Sequence, residues 1–221
     1  MEESTRATSL RSDAERNRLR IVQAAREVFS QQGIDVPMEV IARRAGVGNA
    51  TLYRRFPTRD DLIIGAFEEK LLVFAQGVEE ALDDPDPWHG FCGYVERLCT
   101  MQAEDRGFCQ VLTMSFAPAE SFEAIRARAY AGLTRLVKRA KAAGALREDF
   151  VAEDLLMLLL ANAGVLAATA GTAPRMSPRL VAFLLQSFAA PAPGPLPPPP
   201  TAAQAVRAMQ RIDAAQGHSP N

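Results

Sequence analysis

Hydroxyl, amide and guanidinium side chains are concentrated between residues 48 and 59, where the sequence reads GNATLYRRFPTR. An asparagine such as Asn49 bonds bidentately to adenine, and an alanine such as Ala50 can contact a thymine methyl group. Arg54 or Arg55 can reach guanine or a phosphate. Contacts to the DNA backbone are expected from the backbone N–H groups at Gly48, the hydroxyls of Thr51 and Tyr53, and the guanidinium of Arg59.

Two short helices with a glycine turn between them must position these side chains. Pro37 suits the first position of the earlier helix, and Gly46 ends it after about two turns. The later helix, residues 49–56, would bury Leu52 and Phe56. The buried face of the earlier helix is expected to be Met38, Ile41, Ala42 and Ala45. This order predicts a helix-turn-helix over residues 37–56, although TLY or RR alone would be typical of any solvated helix.

The rest of the chain is also predicted to be helical, because apolar residues recur at helical spacing and rarely alternate. Residues 1–12 are expected to be a flexible arm, and Asp13 to cap a first helix that ends at Gly33. Thr58 is expected to cap a long fourth helix. Further helices are predicted at about 87–104, 106–115, 119–143, 152–171 and 176–189, giving about nine in an all-α fold. Seven of the ten residues 191–200 are proline, which predicts an extended spacer before a weak terminal helix.

Charge is unevenly distributed along the 221 residues, although the formal total is only −1. Residues 1–60 hold 11 arginines and 8 acidic side chains, a net of +3, whereas residues 61–221 hold 14 basic and 18 acidic side chains, a net of −4. The cationic excess therefore coincides with the predicted helix-turn-helix, as binding to DNA requires. Three cysteines and a polar N-terminus without an apolar leader argue against a secreted disulfide framework. We expect a cytoplasmic protein without a membrane helix.

Residues 13–72 resemble the DNA-binding domain of TetR/AcrR-type transcriptional regulators, through IVQAAREVFSQQGI, IARRAGVG and TLYRRFPTRDDL. The resemblance implies a homodimer on a palindromic operator, usually a repressor, with a variable C-terminal domain that senses a small molecule. Pro37 replaces the Ser or Thr of many members, so the N–H of Met38 is expected to take over that phosphate contact. The complete set predicted to contact DNA is Met38, Val47, Gly48, Asn49, Ala50, Thr51, Tyr53, Arg54, Arg55 and Arg59.

The resemblance implies that residues 73–190 form a ligand-binding and dimerisation domain. A Pro-rich tail, residues 191–221, follows it. Adaptable aromatic and Met side chains could line a pocket for a small apolar effector, although the sequence alone favours ordinary core packing for any individual residue. The predicted pocket residues are Phe67, Trp88, Phe91, Tyr94, Met101, Leu112, Phe116, Tyr130 and Asn162. Asn162 could equally bond to a neighbouring backbone. The apolar helices at about 152–171 and 176–189 predict a four-helix dimer interface.

Two other classes of protein remain as alternatives. An all-α enzyme is disfavoured, because the two histidines have no triad or metal-site pattern and no P-loop or GxGxxG sequence occurs. Neither a cofactor nor a metal is expected. Cys92, Cys99 and Cys109 lack zinc-site spacing, which favours buried packing and leaves redox sensing as a minor possibility. A helical partner-binding protein that has lost DNA recognition would also fit the Pro-rich tail.

Overall fold

The structure, a computed structural model, describes residues 2–113, 120–169 and 171–215. Its helices are α1 (Glu2–Gln32), α2 (Met38–Ala45), α3 (Asn49–Arg55), α4 (Arg59–Asp83), α5 (Pro87–Glu104), α6 (Arg106–Thr113), α7 (Glu120–Ala142), α8 (Ala152–Thr169), α9 (Met176–Phe188) and α10 (Ala202–Ala215). In these ranges no strand forms, and Leu146 and Ala189 make an isolated antiparallel bridge. The all-α prediction is confirmed. The chain divides into two units, Met1–Glu68 and Glu69–Asn221.

Helix α1 provides much of the core of the first unit. Ile21, Ala25 and Phe29 form an apolar stripe along this helix and are fully buried, and Phe29 stacks on Phe67 with 6.0 Å between ring centroids. The predicted start at Asp13 is wrong, because the helix begins at Glu2 and includes the segment expected to be an arm. No proline or glycine interrupts residues 2–32, so nothing in the local sequence stops the helix before Gly33.

The predicted helix-turn-helix is formed by α2 and α3. Pro37 lies one position earlier than expected, as the N-cap of α2, because its ψ of 139° is extended rather than helical. Gly46 ends α2 in the left-handed conformation, with φ at 64°. The N–H of Gly46 bonds to Arg43 O and that of Val47 to Ala42 O, the pair of contacts that defines a Schellman C-cap. The end of α2 at the turn is therefore fixed by backbone hydrogen bonds.

Helix α4 begins with a reciprocal capping interaction. The Thr58 hydroxyl accepts a bond from the Asp61 N–H at 3.1 Å, and the Asp61 carboxylate accepts one from the Thr58 N–H at 3.0 Å. The two bonds satisfy donors that a helix start otherwise leaves open. The prediction that Thr58 caps this helix is confirmed.

Aromatic rings form the centre of the second unit. Trp88 stacks on Phe91 at 5.6 Å, Phe91 meets Phe150 edge-on at 5.4 Å, and Phe150 meets Phe188 at 4.9 Å. Phe91 and Phe150 are at most 1% exposed. These contacts link α5 to the end of α9 and account for most of the aromatic side chains that the sequence concentrates near residue 90.

Helices α8 and α9 leave apolar side chains in solvent within this single chain. Met157, Met176 and Phe183 are 50%, 51% and 54% exposed. In length and composition α8 could cross a membrane, but the core helix of a soluble protein passes the same test. Its Asp154 and Asn162 are buried among protein groups, and only 33% of the helix is buried in total. A substantial part of α8 is therefore uncovered in the single chain.

Candidate nucleic-acid interface and ligand cavity

Helix α3 separates its buried and its exposed residues cleanly. Leu52 is fully buried and Phe56, at the C-cap, is 3% exposed, so both hold the helix onto the first unit. Thr51 is half-buried and Tyr53 is 43% exposed. The exposed positions are Gly48, Asn49, Ala50, Tyr53, Arg54 and Arg55. The outer surface of α3 therefore presents the side chains that were predicted to contact DNA.

The two arginines at the end of α3 are free to bind another molecule. Within the described residues, neither Arg54 nor Arg55 makes a hydrogen bond or an ion pair. No side chain caps the start of α3 at Gly48, and an added Cβ there would meet nothing within 4 Å. A phosphate or a base edge can therefore approach this end of the turn without displacing a protein group.

An arginine that was not predicted to matter fixes the turn between α2 and α3. Arg20, on α1, donates from Nη2 to Ala45 O at 2.7 Å and to Gly46 O at 3.3 Å. A Cβ at Gly46 would lie 2.7 Å from the same Nη2 atom. Arg44 also bonds through Nε to Glu27 at 2.9 Å. The position of Arg20 off the apolar stripe of α1 was the only signal in the sequence.

Arg59 contacts the protein itself rather than standing free for phosphate. Its Nη1 donates to Ile34 O and to Val36 O, both at 2.7 Å, and the residue is half-buried. These bonds tie the loop before α2 to the start of α4. The phosphate contact predicted for Arg59 would have to come from the N–H groups that these two bonds leave over, and it stays a prediction.

Met38 and Val47 lie at the ends of α2 and have limited surface. The Met38 side chain is 5% exposed, so only its backbone N–H, at a helix start without a side-chain cap, could meet a phosphate. Val47 is half-buried and its N–H bonds to Ala42 O at 3.0 Å. A contact from Val47 would have to come from its side chain, and both contacts stay predictions.

The second unit contains a largely apolar cavity of about 450 Å³. Its walls come from α4, α5, α6, α7, α8 and α10. Tyr94, Leu112 and Tyr130 line it, as the sequence predicted for an effector pocket. Leu71 and Phe74 of α4, together with the residues from α10, were not predicted. The missed signal was the apolar spacing of 202, 205, 206 and 209 after the prolines.

Of the other predicted pocket residues, five are described by the structure and do not line this cavity. Phe67 belongs to the first unit, where it packs on Phe29. Trp88 and Phe91 are part of the aromatic core, and Met101 is 8% exposed on α5. For these four, packing between helices is the better explanation. Phe116 lies outside the described residues.

Asn162, the fifth, is fully buried in a network of polar side chains. Its Nδ2 donates to Gln102 Oε1 at 2.9 Å, and its Oδ1 accepts from the Ser177 hydroxyl at 2.7 Å. Gln102 in turn donates to Leu159 O at 3.2 Å. The partner that the buried amide requires is therefore the protein, and this network joins α5, α8 and α9.

A few polar groups interrupt the apolar wall of the cavity. The Tyr130 hydroxyl donates to Glu153 Oε1 at 2.9 Å, and Arg126 bonds to Val111 O and lies 4.0 Å from Glu123. Burial raises the pKa of Tyr94, so its hydroxyl stays protonated at physiological pH. The cavity therefore suits a mainly apolar molecule with one polar end.

The three cysteines lie in surroundings that suppress thiolate formation. Burial raises the pKa of Cys92 to about 11, that of Cys99 to about 12 and that of Cys109 to about 11. A redox sensor needs an accessible, low-pKa thiol, so packing is the better explanation of these residues. Among the side chains that the structure describes, no group of three or more His, Cys, Asp or Glu is placed to hold a metal ion.

Both units match known protein families. Residues 21–66 match the family of bacterial regulatory proteins, tetR family, and residues 86–188 match the C-terminal domain described as transcriptional regulator SbtR-like. An HTH-type transcriptional regulator of Staphylococcus aureus strain USA300 is 34% identical over 76 residues, which is 34% of this chain and 41% of that protein. The chain thus matches less than half the length of this curated relative.

Solved structures extend the likeness to both units. A TetR transcriptional regulator from Streptomyces coelicolor has a TM-score of 0.52 and 29% identity, covering 79% of this chain and 99% of its own. A TetR regulatory protein from Mycobacterium vanbaalenii has a TM-score of 0.50 and 27% identity, covering 81% and 99%. With the helix-turn-helix built as described and both family matches in the expected order, the chain belongs to the TetR family of transcriptional regulators.

Proposed function

We propose that this protein is a DNA-binding transcriptional regulator that acts as a homodimer on a palindromic operator and responds to a small apolar ligand. The observation that carries the proposal is the outer surface of α3. It presents Asn49, Tyr53 and Arg55 to solvent, while Leu52 and Phe56 hold the helix on the first unit. A second helix of this kind reads base edges in the major groove. The protein acts in the cytoplasm, where the DNA is, and it represses in the absence of ligand.

Electrostatics favour the same surface. Residues 1–60 carry +3 and the remaining residues carry −4, so attraction to the duplex is confined to one part of each subunit. Each phosphate contact from Lys or Arg steepens the dependence of log affinity on log salt by about 0.9. A net charge this small gives modest non-specific affinity, and discrimination between sequences then depends on the α3 side chains.

The exposed apolar surface of α8 and α9 supports a homodimer. On α8 the exposed residues Met157, Ala161, Gly164 and Ala168 recur every three or four positions, which puts them on one side of the helix. Small residues at such positions allow two helices to approach closely. Pairing α8 and α9 with the same helices of a second subunit makes a four-helix bundle. Twofold symmetry then presents two α3 helices to successive major grooves.

The cavity of the second unit supports ligand control. Leu71 and Phe74 line it from α4, and α4 begins at Arg59, directly after the helix-turn-helix. A ligand that prefers one position of α4 would change the separation of the two α3 helices against the ~34 Å repeat of DNA. Binding that does not distinguish between two positions of α4 would produce no regulation.

Selection from a pool of random-sequence DNA duplexes tests this proposal and identifies the operator in the same experiment. The full-length protein is incubated with the pool and the bound duplexes are amplified and sequenced. We expect enrichment of one inverted repeat, with half-sites placed one or more helical turns apart. No enrichment, with the protein folded and dimeric, would contradict sequence-specific binding, and enrichment of a single unrepeated site would contradict the symmetric homodimer.

A further inference from the structure

The Pro-rich tail does not leave the body of the second unit. Arg147 donates from Nη2 to Gly194 O at 2.8 Å, and the N–H of Leu196 donates to Asp149 Oδ2 at 2.8 Å. Arg147 also bonds to Asp149 through Nη2 at 3.0 Å, and its side chain is only 5% exposed. These bonds lower the pKa of Asp149 to about 2, so the carboxylate stays charged at physiological pH. Residues 191–200 are thus attached near their middle.

Helix α10 has a defined start and a defined orientation. The N–H of Thr201 donates to Gln204 Oε1 at 2.8 Å, and the N–H of Gln204 donates to the Thr201 hydroxyl at 3.3 Å, a capping box. Four residues of α10 line the cavity, spaced as one side of a helix: Ala202, Ala205, Val206 and Met209. On the other side Arg207 and Arg211 are exposed.

The contacts of α10 with the protein are incomplete. Val206 is 49% exposed, Met209 is half-buried, and about 450 Å³ stay open beside them. Helix α10 therefore lines the cavity without filling it. An apolar molecule in that space would remove from water the parts of Val206 and Met209 that the protein leaves uncovered.

We propose that α10 is a lid over the ligand cavity, held by the attached proline segment, and that Val206 and Met209 are part of the ligand-binding site. The inference rests on the proposed ligand control. It adds that the ligand is apolar where it faces α10 and that its binding stabilises α10 against the second unit. The segment beyond residue 190 then determines ligand selectivity, although it lies outside the matched C-terminal domain, which ends at residue 188.

The test compares two substitutions on opposite sides of α10 in the full-length protein, at Val206 and at Ala208. The probe is the neutral fluorophore N-phenylnaphthylamine, whose emission rises in apolar surroundings. Val206→Asp puts a charge against the cavity, and we expect about tenfold weaker probe binding, equivalent to about 1.4 kcal/mol. Ala208→Asp, on the exposed side, makes the same change in charge and is expected to stay within twofold of the unsubstituted protein.

Limited trypsin digestion gives an independent readout, because Arg207 offers a cleavage site on α10 itself. We expect saturating probe to slow cleavage after Arg207 in the unsubstituted protein and to have no such effect in Val206→Asp. Equal probe affinity in the two aspartate variants, or cleavage unaffected by probe, would overturn the lid while leaving the cavity as a ligand site. Failure of the unsubstituted protein to bind the probe would overturn the apolar ligand site and the lid together, whereas DNA binding would stand.

Discussion

A substitution at Gly164 separates the dimer interface from the fold of each subunit. An added Cβ at Gly164 meets nothing within 4 Å in the single chain, so a larger side chain costs the subunit nothing in packing. Replacing a glycine inside a helix also gains about 0.5–1 kcal/mol in helix propensity. In the proposed dimer, by contrast, Gly164 lies on the side of α8 that faces the second subunit. Gly164→Leu should therefore weaken association and leave the subunit folded.

The expected size of the effect follows from overpacking. Forcing extra methylenes into a packed interface costs ~1–3 kcal/mol, and twofold symmetry introduces two such leucines in each dimer. A combined ~2–6 kcal/mol raises the dissociation constant of the dimer by about 30-fold to 20,000-fold. A rise of about 1,000-fold or more moves a protein at micromolar concentration from dimer to monomer when the original dissociation constant is nanomolar, and a smaller rise is measured at lower protein concentration.

Sedimentation equilibrium over a range of concentrations measures the association, and far-ultraviolet circular dichroism checks that helix content is kept. Gly93→Leu is the matched control, since Gly93 is an exposed glycine inside α5 whose added Cβ also meets nothing within 4 Å. We expect the control to remain dimeric. An unchanged dissociation constant for Gly164→Leu would contradict a dimer interface at Gly164, as would equal weakening of association in both variants.

Three further predictions concern the interior of each unit. Gly46→Ala should destabilise the protein by more than Gly144→Ala in chemical denaturation. Both glycines have φ near 65°, a conformation that costs an alanine ~1–2 kcal/mol, but of the two only Gly46 has a close neighbour, Arg20. Equal losses of stability in the two variants would contradict a role for that contact. Asn162→Leu should cost at least ~1–3 kcal/mol, because Gln102 Oε1 loses its buried donor and the Ser177 hydroxyl loses its acceptor, and full stability would contradict the network. At pH 8 the native cysteines should react with iodoacetamide far more slowly than those of the urea-unfolded chain, since their raised pKa leaves little thiolate; comparable rates would contradict their burial.

The first unit could be predicted closely from the sequence because its signals are local. Gly46 needs a left-handed conformation, Thr58 and Asp61 cap each other, and Leu52 and Phe56 form an apolar pair. Each of these is determined by residues a few positions apart. The start of α1 was predicted wrongly. Asp13 is a residue type that can cap a helix, but the helix continues N-terminal to it and begins at Glu2.

The cavity could be predicted only in part, because its walls come from helices that are distant in sequence. Asn162 and Gln102 are 60 residues apart, so the partner of the buried amide cannot be read from spacing. The hydrogen bonds of Arg59 to Ile34 O and Val36 O were not predicted. The position of an arginine beside a helix start does not indicate that two backbone carbonyl groups lie within hydrogen-bond distance. Hydrogen-bond partners of this kind depend on how helices distant in sequence pack together, which residue spacing along the chain does not indicate.

Binding of DNA by the outer surface of α3 can be tested with one pair of double variants. Arg54→Ala with Arg55→Ala removes two charges from α3, whereas Arg106→Ala with Arg128→Ala removes two exposed charges from the second unit. Fluorescence anisotropy with the selected duplex should show at least about 30-fold weaker binding for the α3 variant, since two contacts to bases are worth ~1–3 kcal/mol each, and less than about threefold for the control. Equal affinities of the two variants for the duplex, with both proteins folded and dimeric, would contradict DNA binding by the outer surface of α3.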